Sequence, residues 1–263
     1  MDLGLTGKVV LVGGASRGLG YAVAEAVAAE GAKVSIMARD SAAVRDAAAR
    51  LTAATGADVI GHSVDVTRPD ELERWVRDTA GHWGGIDACL SNAGGPPHGE
   101  FPEFDDQAWR RAFDLIVLSA VRLARAVIPH FQRRGGGALV FVTSSSTKEP
   151  IPGLALSTVT RASVAALSKD LSRQYAAQGI RVNHLVPGRI DTSRVRSLDA
   201  ANAGRAGITP EEQHGRSVAT IPLGRYGEPA EFGRVGAYLL SPAASYITGA
   251  TLQVDGGMLR GIL

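Results

Sequence analysis

Short apolar runs alternate with longer amphipathic segments along the whole sequence. Several apolar runs are continuous, such as Val-Val-Leu-Val after Lys8, which is typical of strands covered by helices on both faces. The predicted strands are Lys8–Val12, Lys33–Met37, Val59–Ser63, Ala88–Ser91, Ala138–Thr143, Arg181–Leu185 and Thr251–Val254. The predicted helices are Tyr21–Glu30, Ser41–Thr55, Pro69–Trp83, Asp106–Arg133 and Ser157–Ala177. This alternation predicts an α/β fold with a doubly wound, seven-stranded parallel sheet.

One segment departs from this pattern. Residues 193–219 are polar and rich in alanine, glycine and arginine, and we interpret them as a mobile lid over a site at the sheet edge. The sequence has no internal repeat and no low-complexity linker. We therefore expect residues 1–263 to form a single domain with this one inserted lid.

Composition and charge narrow the class of protein. Hydrophobic residues make up 45% of the chain, as in ordinary globular domains, and a net charge of +2 gives no general attraction to nucleic acid or anionic membranes. The single cysteine, Cys89, excludes an internal disulfide and a cysteine-based zinc site, and we interpret it as a core residue. Because we find neither a signal peptide nor a long apolar run, we expect a cytoplasmic protein with no membrane, nucleic acid or metal as partner.

The strongest motif directly follows the first predicted strand. In the stretch Gly14-Ala15-Ser16-Arg17-Gly18-Leu19-Gly20, three glycines precede a predicted helix. Glycines let the backbone turn tightly and approach a pyrophosphate, and a helix N-terminus offers free N–H groups and a positive dipole end. We therefore predict a dinucleotide-binding domain of the Rossmann type. Its first cofactor-binding residues are Gly14, Ser16, Arg17, Gly18, Leu19 and Gly20.

Two arginines indicate which dinucleotide to expect. A site for NAD usually has an acidic residue at the end of the second strand, but here Ala38 takes that place and Arg39 follows it. Arg39, together with Arg17 in the glycine loop, suits a ribose 2′-phosphate, which guanidinium groups can bind bidentately. The alternative is a pair of solvated arginines, with Asp40 holding the ribose of NAD. We expect NADP(H).

Further motifs appear in a fixed order along nearly the whole chain. They are Asp65-Val66, Asn92-Ala93-Gly94, a serine run at Ser144, Val186-Pro187-Gly188 with Ile190 and Thr192, Ile247-Thr248-Gly249 and Val254-Asp255-Gly256-Gly257. In this order the sequence resembles the short-chain dehydrogenase/reductase family. The resemblance implies that Asp65 meets the adenine, that Asn92 and Gly94 line the cofactor trough, and that Pro187, Gly188 and Thr192 flank the nicotinamide. It also places Val66, Ala93 and Ile190 among the cofactor-binding residues.

The resemblance fails at the catalytic residues. The family uses an asparagine, a serine, and a tyrosine and lysine four residues apart on a helix. The tyrosine supplies the proton, and the lysine lowers its pKa and holds the ribose. At the matching positions this chain has Ile116, Ser144, Ser157 and Arg161, so only the serine is kept. The sequence therefore resembles an atypical branch without the tyrosine–lysine pair, whose members are often labelled 3-oxoacyl reductases by overall similarity.

A serine in place of tyrosine changes the source of the proton. A serine hydroxyl is a far weaker acid than a phenol, whose reference pKa is about 10, so Ser157 cannot simply replace the tyrosine. Arg161 shares a helix face with Ser157 and can hold the ribose, but it is a poor general acid. The candidate donors are Lys148, if it is buried near Arg161, His98, or a water held by Ser144. For Lys148 and His98 the alternative is a solvated loop side chain.

Three functions remain open at this point. The leading hypothesis is an NADP(H)-dependent oxidoreductase that acts on a carbonyl or alcohol of a small organic substrate through a non-standard proton donor. The second is a non-redox enzyme on the same scaffold, namely an isomerase, lyase or cyclase. The third is a dinucleotide-sensing protein.

Two further expectations concern the surface. The resemblance implies a homo-oligomer, either a tetramer or a dimer, formed through the long helices after strands four and five, with Phe113, Leu123 and Val127 as apolar contacts. We interpret the arginines of the lid region mainly as solvated charges, one or two of which can meet a carboxylate or phosphate. They are Arg189, Arg194, Arg196, Arg205 and Arg216.

Overall fold

The computed structural model describes residues 2–262, so the two ends of the expected 1–263 domain lie outside the described residues. Seven parallel strands form one sheet in the order β3-β2-β1-β4-β5-β6-β7. They are β1 (Val9–Val12), β2 (Lys33–Ala38), β3 (Val59–Ser63), β4 (Ala88–Ser91), β5 (Gly137–Val142), β6 (Ile180–Pro187) and β7 (Thr251–Val254). The chain winds outward from β1 to β3 and then outward on the other side from β4 to β7. The predicted fold class and all seven strands are confirmed, with ends that differ by at most two residues.

Helices occupy the connections between the strands. They are α1 (Gly18–Ala29), α2 (Ser41–Thr55), α3 (Pro69–Trp83), α4 (Asp106–Phe113), α5 (Ser119–Arg133), α6 (Ala155–Tyr175), α7 (Ser193–Ala206), α8 (Pro210–Val218) and α9 (Pro229–Leu240). The ends of α2 and α3 are as predicted. Helix α9 was not predicted, although Pro229 at its start and the capping box of Glu228 and Glu231 are typical start signals. Within residues 2–262 we find no helix with both the length and the apolar character needed to span a bilayer.

Two predicted helices differ from the structure in ways that matter for the site. Helix α1 begins at Gly18, three residues before the predicted start at Tyr21, so the last glycines of the loop lie in its first turn. The predicted helix 106–133 is interrupted by a π-helical turn, Asp114–Leu118, which contains Ile116. A π turn inserts a residue and leaves carbonyl groups to be satisfied locally. The Ser119 hydroxyl does so by donating to the carbonyl of Leu115 at 2.6 Å.

The core lies in two layers, one on each face of the sheet. Alternate residues of a strand point to opposite faces, so Val10 and Val12 of β1 pack with α1, α2 and α9. Val9 and Leu11 pack on the other face with α3, α5 and α6. All four β1 side chains are buried, which explains why this strand is a continuous apolar run.

The second core layer corrects one expectation about the oligomer interface. Leu123 and Val127 are buried in this chain's own core, so neither presents apolar surface to a second copy. The sequence shows that these residues are apolar but does not indicate whether they face a second copy or the chain's own sheet. Phe113 is exposed, as the expectation required.

Close packing of α1 on α9 generates a stability prediction. A Cβ on Gly233 of α9 would overlap the backbone carbonyl of Ala22 in α1, and neither backbone can move without displacing its helix. We expect Gly233→Ala to lower the free energy of unfolding by about 1–3 kcal/mol, measured by urea denaturation. The control is Gly215→Ala in α8, where a Cβ meets nothing within 4 Å. It should be neutral or slightly stabilising, because alanine favours a helix. Equal effects of the two substitutions would contradict this account of the packing.

Candidate active site

The loops that carry the predicted site residues leave the carboxyl ends of the strands. In a parallel sheet these ends lie at the same edge, which is where open α/β folds bind ligands. The glycine loop follows β1, Asn92 follows β4, Ser144 follows β5 and Thr192 follows β6. The site is therefore assembled from residues that are far apart in sequence.

The glycine loop is held tightly against the end of β4. The side-chain amide of Asn92 donates to the carbonyls of Gly13 and Gly14, at 3.2 and 3.4 Å. A Cβ on Gly20 would overlap the carbonyl oxygen of Gly14 and lie 2.8 Å from that of Gly13, so only glycine lets α1 come this close. Gly14 and Gly18 have φ of 58° and 62°, a conformation that favours glycine.

This cradle fits a dinucleotide. The N-cap residue of α1, Arg17, makes no side-chain cap, so the first-turn N–H groups of the helix are not used by that side chain. Helix N-termini with free N–H groups favour anions such as a pyrophosphate. Ser16 and Leu19 flank this turn and are partly exposed. The bare glycine backbone and the helix end thus offer what a pyrophosphate requires.

The end of β2 carries the residues that bear on the choice of dinucleotide. Asp40, the alternative ligand for a ribose hydroxyl, caps α2 by accepting hydrogen bonds from Ala42 and Ala43 at 2.9 and 3.0 Å. Its carboxylate therefore already has a structural role. Arg17 and Arg39 are both exposed and neither forms an ion pair within residues 2–262. Two cations without an ion-pair partner therefore lie in this part of the site.

Asp65 stands at the end of β3 in a fixed conformation. Its Oδ1 accepts from the backbone N–H and the hydroxyl of Thr67, at 3.0 and 2.8 Å. Burial alone would raise the pKa of Asp65, but these hydrogen bonds and the nearby Arg39 and Arg68 together hold it below its usual value. Asp65 is therefore an ionised acceptor at neutral pH, next to the buried Val66.

The loop after β6 ends above the glycine loop. Gly188, which follows Pro187, packs so closely on Asp255 that a Cβ there would lie 2.6 Å from the Asp255 backbone. Ile190 is buried and pairs with Gly227 in a short parallel bridge. These two contacts fix the course of the loop.

Thr192 lies where this loop meets the glycine turn. It is buried, and its methyl group lies 3.6 Å from the position of a Cβ on Gly18. Its hydroxyl accepts from the backbone N–H of Val195 at 3.3 Å and so caps α7. The first turn of α7 is therefore fixed directly over the start of α1.

Arg161 links three parts of the site. Its Nε donates to the hydroxyl of Ser157 at 3.3 Å, its Nη1 to the carbonyl of Val142 at 3.0 Å, and its Nη2 to the carbonyl of Ala93 at 3.5 Å. Burial first, and then the charge of Arg194, lower the pKa of Arg161 to about 10. The guanidinium is still charged at neutral pH, so a cation stands directly against the buried Ser157 hydroxyl.

Ser144 has a proton to give. Its Oγ accepts from the backbone N–H of Ser146 at 3.2 Å and from the Ser146 hydroxyl at 3.0 Å. Because both contacts use its lone pairs, its own O–H is free to donate to a ligand. Ser144 is partly exposed, as a group that meets a substrate must be.

Lys148 lies apart from Arg161. It is exposed and, with Thr147 of the same loop, lines a pocket shared with Lys169, His184 and Thr251. All three side-chain hydrogen bonds of Arg161 go to other groups. Lys148 is therefore not buried beside Arg161, as its role as a proton donor required.

His98 packs between the loop after β4 and the start of α6. Its ring lies against Gly153, and Gly99 donates to the Gly153 carbonyl at 3.0 Å. Burial first, and then the charges of Arg205 and Arg194, lower the pKa of His98. Nη1 of Arg205 lies 2.8 Å from Nδ1 of His98, which must therefore accept. A neutral His98 is a poor general acid at neutral pH.

Comparison with known proteins agrees with this arrangement. Residues 14–259 match the family model described as enoyl-(acyl carrier protein) reductase. The chain is 34% identical to dehydrogenase/reductase SDR family member 4 of Oryctolagus cuniculus, over 96% of this chain and 94% of that protein. It is 32% identical to the 3-oxoacyl-(acyl-carrier-protein) reductase FabG of Vibrio cholerae, over 97% and 99%.

A solved structure extends the likeness to three dimensions. The L-sorbose reductase of Gluconobacter frateurii, complexed with NADPH and L-sorbose, is 32% identical with a TM-score of 0.94, and the match covers 100% of both chains. This chain belongs to the short-chain dehydrogenase/reductase family. It is an oxidoreductase-family enzyme of the kind that uses a nicotinamide dinucleotide on carbonyl or alcohol substrates.

The surroundings of His184, beside Lys148, generate a pH prediction. Nδ1 of His184 lies 3.2 Å from the Thr143 hydroxyl, and Nε2 lies 2.6 Å from the Thr251 hydroxyl. Burial first, and then the charge of Lys148, lower the pKa of His184 from 6.5 to about 4. Above pH 6.5 the ring is neutral in both states. Between 6.5 and about 4 only the unfolded chain takes up the proton, so stability falls as the pH falls.

We expect His184→Gln to remove this part of the acid dependence. From pH 7 to pH 4 the wild-type protein should lose about 1–3 kcal/mol more unfolding free energy than the variant. Urea denaturation at a series of pH values measures the difference, with the exposed His82→Gln as the control. If the unfolding free energies of the wild type and of His184→Gln changed with pH in parallel, His184 would not be held neutral in the folded protein.

Proposed function

We propose that this enzyme is an NADP(H)-dependent oxidoreductase that interconverts a carbonyl and an alcohol on a small organic substrate without a catalytic tyrosine. The observation that carries the proposal is the Ser157–Arg161 pair, in which Arg161 also donates to the carbonyl of Val142 at the end of β5, the strand that Ser144 follows. The family resemblance puts Ser157 and Arg161 at the positions of tyrosine and lysine. The similar sorbose reductase, described in complex with NADPH, supports the choice of NADP(H).

We propose that different residues of the site bind different parts of the dinucleotide. Arg17 and Arg39 would hold the 2′-phosphate, and the ionised Asp65 would accept from the adenine. The first turn of α1 would receive the pyrophosphate, and the loop from Pro187 to Thr192 would cover the nicotinamide. Bound in this way, the cofactor supplies or accepts a hydride.

The serines and the arginine act on the substrate oxygen. The free O–H of Ser144 donates to a carbonyl oxygen and fixes its position. Ser157 donates a second hydrogen bond, and the Arg161 cation behind it stabilises the negative charge that develops on that oxygen. Like a tyrosine–lysine pair, Ser157 and Arg161 stabilise negative charge on the substrate oxygen, but they do not easily donate a proton to it.

The proton therefore comes from elsewhere, and we propose a water held by Ser144 and Ser157. His98 fits this role less well because burial and the charges of Arg205 and Arg194 lower its pKa and so favour the neutral ring, and Lys148 fits it less well because it is exposed and lies apart from Arg161. A non-redox reaction on this scaffold is the competing possibility. Substrate turnover without any change in NADPH absorbance would favour that possibility.

Two proposals concern the parts around the site. We propose that α7 and α8, which fill residues 193–219, cover the substrate as a lid whose position depends on Asp199. This carboxylate accepts from Arg189 at 2.6 Å and from the hydroxyl of Tyr226 at 2.7 Å. We also propose a homo-oligomer, dimer or tetramer, through the exposed Phe113 and Val159.

The cofactor assignment predicts a preference that one residue controls. We expect wild-type protein to bind NADPH at least about tenfold more tightly than NADH, because each guanidinium–phosphate pair is a charge-assisted contact. Arg39→Ala should remove most of this preference by weakening NADPH alone. Calorimetric titration measures both affinities, with Arg74→Ala on α3 as the control, since it is exposed and paired with Asp70. Equal affinity of the wild-type protein for the two cofactors would refute the assignment.

The catalytic assignment predicts unequal effects of two lost cations. Arg161→Met should lower kcat by about 10²-fold, the usual scale for a group that stabilises charge in a transition state, with the fold intact by circular dichroism. Lys148→Met, which removes the other cation near the β5–α6 connection, should change kcat by less than about tenfold. NADPH oxidation with a panel of ketones measures both. A larger decrease in kcat for Lys148→Met than for Arg161→Met would instead indicate that Lys148 is the proton donor.

A further inference from the structure

Three arginines follow one another along the loop from Ala93 to His98. Arg161 contacts the carbonyl of Ala93 at 3.5 Å. Arg194, in the first turn of α7, contacts the carbonyl of Pro96 at 3.2 Å. Arg205, further along α7, lies 2.8 Å from the ring of His98. Two different helices thus bring three cations to one wall of the cleft beside Ser157.

None of these three arginines forms an ion pair within the described part of the chain, residues 2–262. Their neighbours show that the segment does pair arginines elsewhere. Arg189 meets Asp199 and Arg196 meets Asp191, each at 2.6 Å. The three arginines along this loop therefore differ from these neighbours in having no acidic partner.

The nearest acids of the loop do not pair with the three arginines. Glu103 accepts a hydrogen bond from the backbone N–H of Glu100 at 3.1 Å, and both glutamates are exposed and form no ion pair with the three arginines within residues 2–262. Like charges that face one cleft repel each other, and a cation in the first turn of a helix opposes the helix dipole. These unfavourable interactions are relieved when an anion enters the cleft.

We propose that the substrate is an oxo acid or the corresponding hydroxy acid, whose carboxylate binds to Arg194. This proposal rests on the proposed function and adds the substrate class to it. The carbonyl would lie at the Ser157–Arg161 end, and the carboxylate at the Pro96 end of the loop. Arg205, held against His98, adds positive charge beyond it and keeps the carboxylate ionised.

The experiment separates binding from turnover. Protein saturated with NADP+, which cannot reduce a ketone, is titrated with pyruvate, acetoacetate and levulinate, and in parallel with the methyl ester of each. These acids place the carboxylate at increasing distances from the carbonyl. Thermal unfolding gives the apparent affinity of each compound through the rise in Tm. NADPH oxidation is then measured with the same compounds.

Two variants on one helix make the assignment specific. In Arg194→Met the affinity for the preferred acid should fall about tenfold or more, the scale of a charged hydrogen bond, while affinity for its ester is unchanged. In Arg196→Met, whose side chain pairs with Asp191, both affinities should stay as in the wild type. The affinity for NADPH should be the same in all three proteins.

The outcomes distinguish this inference from the proposed function. Acids that raise Tm through Arg194 without oxidising NADPH would support the anion site and contradict the redox assignment. Esters that bind as well as the acids, or acids that do not raise Tm at all, would overturn the anion site even where NADPH is oxidised. Arg194→Met could also lose affinity for NADPH and bind the acid and the ester equally less tightly. That result would overturn the anion site and would indicate that Arg194 binds the cofactor.

Discussion

The close approach of α1 to the ends of β1 and β4 is the contact on which the site depends. Because Gly20 has no Cβ, the helix starts directly against the carbonyls of Gly13 and Gly14, and the side chain of Asn92 holds the same two groups. This brings the positive end of α1 to the edge of the sheet where the other loops end. Thr192, which caps α7, lies close to Gly18 and so brings the start of α7 near the start of α1.

Positively charged side chains lie at both ends of this edge of the sheet. At one end Arg17 and Arg39 form no ion pair within residues 2–262, and the carboxylate of Asp40 caps α2. At the other end Arg161 and Arg194 stand without an acid beside the serines. We propose that each end binds one anion, a 2′-phosphate at the first and a substrate carboxylate at the second. In the proposed mechanism fixed cations and hydroxyl groups take the place of a phenol.

The sequence was sufficient for the sheet and for the position of the glycine loop. Short apolar and β-branched runs indicated the strands, and glycine spacing indicated the loop, because both depend on local pattern. The π turn at Ile116 and the burial of Val127 depend on how helices pack, which local pattern does not contain. Arg194 reaches Pro96 across a separation of 98 residues, so no motif could have joined them. The sequence left open whether Lys148 is buried near Arg161 or exposed to solvent, because it predicted the loop but not the direction in which the loop runs.

Isotope transfer tests the central claim, that this edge performs redox chemistry on a carbonyl, most directly. The enzyme is given NADPH carrying deuterium at both C4 positions of the nicotinamide, together with the ketone it turns over best, and the product is analysed by mass spectrometry. If the enzyme transfers a hydride to the carbonyl, we expect one deuterium atom on the carbon that becomes the alcohol carbon. The second deuterium atom stays on the cofactor. Conversion of the substrate with both deuterium atoms still on the cofactor would contradict the central claim and would establish non-redox chemistry on this scaffold.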